Sequence, residues 1–297
     1  PRGEKKWEAT WKTHGDNRPG GMALSPTTGV VAVTGYGMTH TGKEPYKVPY
    51  GFGFDRQGKP LWSLWNPDPK KQVASKFGGN GLMADTTGHA AGVGPDGHLL
   101  LMLYADGGNS ICTRNPANPD APIDATVFKE VFQGGPGHGF KGASQTSVVF
   151  RVEPDSGRLE KGTWMCAWLS PARANGLRIE EASGEGALVA VIGGSASNCP
   201  TKQPWYVAPA GGYQGGGFVA LFDAQFKMKQ CGYFPGSTFK AVAVRKGTVV
   251  AVGHAPRENI AKDASGTETP YPVPTHKGVQ PAFGGGDRDG YIVVLKG

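Results

Sequence analysis

Residues 239–253 read FKAVAVRKGTVVAVG, and this stretch decides the fold. Val242 and Val244 alternate with smaller or polar neighbours, the period-2 pattern of a β-strand. Lys246-Gly247 interrupts the pattern with a pair that accepts positive φ, and a second Val-rich strand follows. The same strand–turn–strand unit occurs three more times, as GMALSPTTGVVAVTG at 21–35, GHAAGVGPDGHLLLMLY at 88–104 and LRIEEASGEGALVAVIG at 177–193. Their turn centres are Thr28-Gly29, Asp96-Gly97 and Glu185-Gly186.

Second hairpins follow the first three units, at Gly51–Trp65, Ser147–Trp168 and Gly217–Phe234. Asp55, Asp155 and Asp223 recur at their turns, where an Asp side chain accepts from its own backbone; they read as structural. The fourth unit ends at Gly290–Gly297 with a third strand and no fourth. The N-terminus offers the missing piece, because WEATW at Trp7–Trp11 matches WMCAW at Trp164–Trp168 and WSLW at Trp62–Trp65. An orphan strand at one end and a gap at the other predict a closed ring, which removes the exposed sheet edge.

The expected fold is therefore all-β: a single domain over 1–297, a four-bladed β-propeller closed by the N-terminal strand. Its blades span about 17–66, 80–168, 175–234 and 238–297, with 5–12 as closing strand. A head-to-tail swap between two chains satisfies the same pattern.

The phrases VVAVTG at 30–35, YVAPAGGYQGGGFVAL at 206–221 and FGGGDRDGYIVVL at 283–295 resemble the bacterial SBBP-type β-propeller repeat family. Asp289 stands where that repeat carries its Asp, and the other three units lack it. The resemblance touches all four units. It implies the propeller fold and an extracellular or periplasmic setting, and no specific activity, since propellers host many functions.

Composition agrees with short strands and many turns. The 48 Gly and 24 Pro make 72 of 297 residues, about 24%, against roughly 12% in an average protein. Hydrophobic residues at 38% and aromatics at 10% still supply a core. The net charge of +7 suits an acidic partner, but no RNA-recognition, zinc-finger or basic-helix motif occurs, and nucleic acid is not expected. No stretch approaches the ~18 apolar residues of a membrane span. The chain begins at Pro1, which a removed signal peptide would fit, although none is displayed.

The excess length over ~40–50 residues per blade lies in the connections 36–50, 105–146, 194–216 and 254–289. These emerge on one face of a propeller, and ordered loops of that length usually carry function. Three of them hold related phrases: PYKVPY at 45–50, PWYVAP at 204–209 and PYPVP at 270–274. Their aromatic residues Tyr46, Tyr50, Trp205, Tyr206 and Tyr271 are binding candidates, while recurrence in three blades favours a packing role. His14, His40, His89, His138, His254 and His276 fall on the same face. His89 opens an inner strand, His254 takes the position equivalent to Tyr36, and Tyr104 lies near them. Of these, Tyr36, His40, His89, Tyr104, His138 and His254 join the binding candidates. No HExxH or His-x-His spacing occurs, so no metal site is expected, and the Asp287–Gly290 stretch lacks the later acidic ligand of a calcium loop. No cofactor motif is present, neither GxSxG, Walker loop nor GxGxxG. Glu180 and Glu181 point to opposite faces by strand alternation.

Four cysteines allow three pairings. Cys112 and Cys199 lie early in the long loops of blades two and three, and Cys166 and Cys231 on their fourth strands. The symmetric pairing Cys112–Cys166 with Cys199–Cys231 is expected, and with it an oxidising compartment. The leading expectation is a secreted, cell-surface or periplasmic binding or assembly module for a protein chain or a polysaccharide. The alternative is a lyase or hydrolase on acidic polysaccharide, with His89, His138 and His254 moving protons at the channel mouth. A subunit of a larger assembly is the third reading.

Overall fold

The computed structural model describes residues 3–13, 16–40, 45–65, 85–105, 111–119, 121–134, 146–165, 167–170, 173–175, 177–195, 202–205, 216–262, 268–272 and 284–296. They form four antiparallel sheets in chain order. Sheet 1 holds β1 (Asn17–Leu24), β2 (Val31–His40), β3 (Pro45–Phe54) and β4 (Pro60–Leu64). Sheet 2 holds β5 (Thr86–Val93), β6 (Leu99–Ala105), β7 (Thr146–Val152) and β8 (Leu159–Met165). A two-stranded ribbon of β9 (Ala167–Ser170) and β10 (Arg173–Asn175) follows. Sheet 3 holds β11 (Leu177–Glu185), β12 (Leu188–Ser195), β13 (Gly216–Asp223) and β14 (Met228–Pro235). Sheet 4 has β15 (Thr238–Arg245), β16 (Thr248–Ala255) and β19 (Asp289–Lys296), with a ribbon of β17 (Glu258–Lys262) and β18 (Glu268–Pro272) between the last two.

The alternation read from the sequence sets the strands. The first strand of each sheet turns back tightly onto the second; Lys246 and Gly247 take φ of 48° and 71°, the two positive values of the favoured two-residue hairpin. Consecutive sheets stack face to face through three apolar clusters. One joins Ala32, Trp62 and Leu64 to Leu101, Val148 and Phe150. The next joins Leu100, Met102 and Val149 to Val191, Phe218 and Phe222. The third joins Ile192, Val219 and Leu221 to Val242, Val249 and Val293. Sheets 2 and 3 are thus covered on both faces. That explains why Leu99–Leu103 is a continuous apolar run and is buried at every position.

Sheets 1 and 4 each keep an outward face. On sheet 1, register aligns Leu24, Val31 and Phe54 in one row and Met22, Val33 and Phe52 in the next. The N-terminal residues cover part of this face: Trp7 lies 6.2 Å from Phe54, and Trp11 lies 5.9 Å from Phe52 and 6.3 Å from Tyr50. Met22 and Leu24 stay 71% and 57% exposed. On sheet 4, Ala241, Val252 and Ile292 form one row and Ala243, Val250 and Val294 the next. Ile292 and Val294 are 66% and 65% exposed.

This differs from the expected closure. Residues 3–13 form no strand and rest on sheet 1, not along β19, and sheet 4 has three strands. The two Trp rings find the flat surfaces of Tyr50, Phe52 and Phe54, which hold the segment without ladder hydrogen bonds.

The connections are also shorter in irregular structure than expected. PYKVPY is the first half of β3, not loop, because β2 and β3 extend to ten residues each. Residues 111–119 and 121–134 fold onto the outer edge of sheet 2, where Ile111, Cys112 and Val127 enter the core and Phe128 stacks on Trp164 at 6.1 Å. Lys202 bridges to Cys231 on β14 through backbone hydrogen bonds of 3.0 and 2.7 Å.

The expected disulfides are corrected in the same places. Cys112 and Cys231 are free thiols, completely buried among apolar side chains, where cysteine acts as a small hydrophobe. Burial pushes the Cys112 thiol far above its ordinary pKa. Cys166 and Cys199 lie outside the described residues. No helix among the described residues is long and apolar enough to cross a membrane.

Candidate functional site at the bulged ends of the inner strands

Each first strand carries one extra residue at the same register position. The ladders shift between Pro19 and Gly21, Gly88 and Ala90, Ile179 and Glu181, and Phe239 and Ala241. The bulged residues are therefore Gly20, His89, Glu180 and Lys240. All four bulges lie at the end where the second-to-third connections emerge. Bulges of this kind re-aim side chains and recur beside functional sites. The residues opposite the position two before each bulge are Tyr36, Tyr104, Gly194 and His254. Their equivalence, expected from the sequence for Tyr36 and His254, is fixed by this register.

The individual candidates divide by what they touch. His89 Nε2 meets the Ile179 carbonyl, while the Ser147 hydroxyl accepts from the Ile179 N–H at 3.1 Å. The backbone N–H and C=O of one residue of β11, Ile179, are thus both held from sheet 2. Tyr104 stands edge-on to the His89 ring at 6.2 Å. This is an inter-sheet clamp, and it engages Nε2 of the His89 ring. Gly20 lies against the same bulge: a Cβ there would come within 2.7 Å of His89 Cα, so only glycine allows the approach.

Tyr50 is corrected from surface candidate to core residue. It is 1% exposed, and its hydroxyl donates to the Arg18 carbonyl at 3.2 Å. Burial raises its pKa, partly offset by a hydrogen bond with Trp11. Trp205 also has a packing role, donating from Nε1 to the Lys296 carbonyl at 3.0 Å and so tying the sheet 3 connection to β19. His40 and Pro45 are paired at the ends of β2 and β3, Tyr46 opposes Thr39, and Tyr271 opposes Asn259 in the β17–β18 ribbon. His138 and Tyr206 lie outside the described residues.

Three groups remain open to a ligand. Tyr36 is half-buried, with Lys47 Nζ 5.7 Å from its ring centroid. Lys47 also pairs with Asp85 at 2.8 Å, linking sheet 1 to the start of β5. Lys240 is exposed on its bulge. His254 Nε2 accepts from exposed Arg288, which stands just before β19. Desolvation lowers the His254 pKa, and the positive charges of Arg288 and Lys240 lower it further. The chemistry gathered at this end is cations and phenol rings, with Asp85 on Lys47 and Asp287 and Asp289 flanking Arg288. Among the described residues, no three His, Cys, Asp or Glu groups come together to hold a metal ion.

The turn carboxylates behave mostly as expected. Asp55 and Asp223 each accept two backbone N–H groups of their own turn. In the sheet 2 hairpin, however, Glu153 takes this role, binding the N–H groups of Asp155 and Ser156 at 3.3 and 2.9 Å. The sequence reading also missed a network at the opposite end. There Glu160 contacts Arg151 and His98 at 3.2 Å each and Arg158 at 2.9 Å. Its members are scattered in sequence, and only the β6–β7–β8 register brings them together.

No protein-family model and no curated protein matches the chain. Among solved structures, the chain is similar to a mutant of the Synechocystis apocarotenoid oxygenase. The identity is 13% and the TM-score 0.35, over 87% of this chain and 50% of that one. The chain thus spans half the length of that oxygenase. A glycoside hydrolase matches at 10% identity and a TM-score of 0.26, over 92% of each chain. Both scores lie below the level at which a shared fold follows.

Proposed function

We propose that the chain is a four-bladed β-propeller acting as a secreted, cell-surface or periplasmic binding or assembly module for a protein or polysaccharide. The observation that carries the binding reading is the repeated bulge. Four sheets offset one residue at the same register, and that end displays Tyr36, Lys47, Lys240 and Arg288 on a backbone fixed by stacked sheets. Cations and rings held on rigid strands suit recognition of acidic or glycan surfaces.

Two further observations support the ring. The outward faces of sheets 1 and 4 both carry apolar rows, and among the described residues no strand pairs with the edge of β19 that a fourth strand would take. Residues 5–12 already lie on sheet 1, where the outer strand of a closing blade would pack. In the proposed ring they pair with β19. The resemblance to the SBBP-type repeat agrees with this architecture and with an extracytoplasmic setting.

The test is capture by immobilised protein from two sources, a panel of acidic and neutral polysaccharides and a native extracytoplasmic extract. A saturable binder that is lost with the pair Tyr36→Ala and Lys240→Ala is the expected result. A monodisperse monomer that retains neither glycan nor protein refutes the proposal.

A further inference from the structure

Lys240, His254 and Arg288 come together at the bulged end of sheet 4 from three different strands or strand approaches. Lys240 is there because β15 bulges, and His254 because β16 ends beside Thr238 and Gly290. Arg288 is brought in by the approach to β19, where the Gly284 N–H donates to the Asp289 carboxylate and shapes the turn. The Arg288 guanidinium donates one of its five N–H groups to neutral His254, which orients the fork without cancelling its charge. Asp287 and Asp289 are the acidic groups on the same approach. Even so, the charges felt at His254 are those of Arg288 and Lys240, and both depress its basicity.

We propose that Lys240 and Arg288, with His254 orienting the guanidinium, form a subsite for an oxyanion carried on a polysaccharide, a carboxylate or a sulfate. Arg supplies a planar fork matched to two oxygens of such a group, and Lys supplies a point charge. A polymer fits better than a lone small anion for a geometric reason. The register position of His254 carries Tyr36 in sheet 1, beside Lys47, and the proposed ring sets sheets 1 and 4 side by side, so a repeating chain would meet two such contacts. The proposal rests on the binding reading above and names the ligand chemistry of that same end.

The experiment compares the full chain with the double variant Lys240→Ala/Arg288→Gln by titration calorimetry, at low and moderate salt. The probes are polygalacturonate for carboxylate, dextran sulfate for sulfate and neutral dextran as control. The expected result is binding of one acidic polymer, weakened about tenfold or more in the variant, as loss of two charge-assisted contacts requires. The salt dependence flattens, and the melting temperature stays unchanged. The His254 ring resonances shift when that polymer is added. Which acidic probe wins identifies the anion. Equal binding by chain and variant overturns the subsite and leaves the binding module standing. Binding only to neutral dextran or to a captured protein does the same. No binding to any glycan or protein overturns both readings.

Discussion

The double substitution Ile292→Thr/Val294→Thr separates an open array from a closed ring. Both side chains are about two-thirds exposed, at 66% and 65%. In an open array the change touches solvent-facing positions and keeps β-branching. Its effect stays within about 0.5 kcal/mol. Closure would bury what is now exposed. Full burial of an Ile or Val side chain contributes about 1.5–3 kcal/mol, so the remaining two-thirds amounts to about 1–2 kcal/mol each. Threonine keeps one methyl group of this and adds a hydroxyl whose burial costs about 1–3 kcal/mol without a partner. The pair should therefore lower the stability of the ring by about 2–4 kcal/mol. For a domain this size that is a fall in Tm of about 4–8 °C, at roughly 2 °C per kcal/mol. Differential scanning calorimetry reads the shift. A shift of no more than about 1 °C, the effect of a solvent-facing change of about 0.5 kcal/mol, refutes closure. A Tm that falls with dilution assigns the seam to two chains in place of one.

Other outcomes follow from buried contacts. Tyr50→Phe removes the hydroxyl that donates to the Arg18 carbonyl and should cost about 1 kcal/mol, measured by chemical denaturation. His89→Ala leaves the Ile179 carbonyl without its side-chain partner and should cost about 1–3 kcal/mol, while polysaccharide binding by the folded variant is unchanged; loss of binding with intact stability would contradict the clamp. Cys112 and Cys231 should resist thiol reagents in the native protein and label only on unfolding, because both are buried; rapid native labelling would overturn their placement. His254 should titrate below the ordinary histidine range in an NMR pH series, and Arg288→Gln should move its midpoint upward. The sign is that of a depressed histidine: the unfolded chain takes up its proton first, so stability falls as pH drops below the unfolded pKa.

Strands and hairpin turns were legible in the sequence because their determinants are local. Alternation in VVAVTG and KAVAV, and a Gly at each turn, fix strand and reversal without reference to distant residues. The three stacked cores follow from the same alternation once two sheets are buried on both faces. What was not legible depends on partners far away in the chain. Cys112 and Cys166 look like a bridge when only their places in the repeat are known. In the structure, residues 111–119 and 121–134 turn Cys112 into the core beside Val127 and Val148. Tyr50 reads as a loop aromatic in PYKVPY until β2 is seen to continue to His40, which makes the phrase a strand and sets Tyr50 on the face of Phe52 and Phe54, beneath Trp11. The N-terminal Trp pair is expected on a closing strand beside β19, but its residues form no strand and cover sheet 1. Which surface its rings meet depends on Phe52 and Phe54, and no short-range pattern encodes that.

The bulges show how one backbone device serves different ends. A bulge is invisible in a single strand, because it exists only as a mismatch of register against the partner. Here the mismatch occurs once in each of four inner strands at the same position, so it is a property of the architecture and not of any one site. The residue standing on it then decides the local outcome. Gly20 on β1 allows backbone contact with sheet 2, and His89 on β5 reaches across to hold β11. Both serve packing between sheets. Lys240 on β15 is exposed beside His254 and Arg288. A charged residue placed by the same bulge, and left exposed where Gly20 and His89 pack, is free to meet a ligand. The end of sheet 4 is therefore where substitution should change binding while the fold stays intact, and the equivalent positions on β1 and β5 are where it should change the fold first.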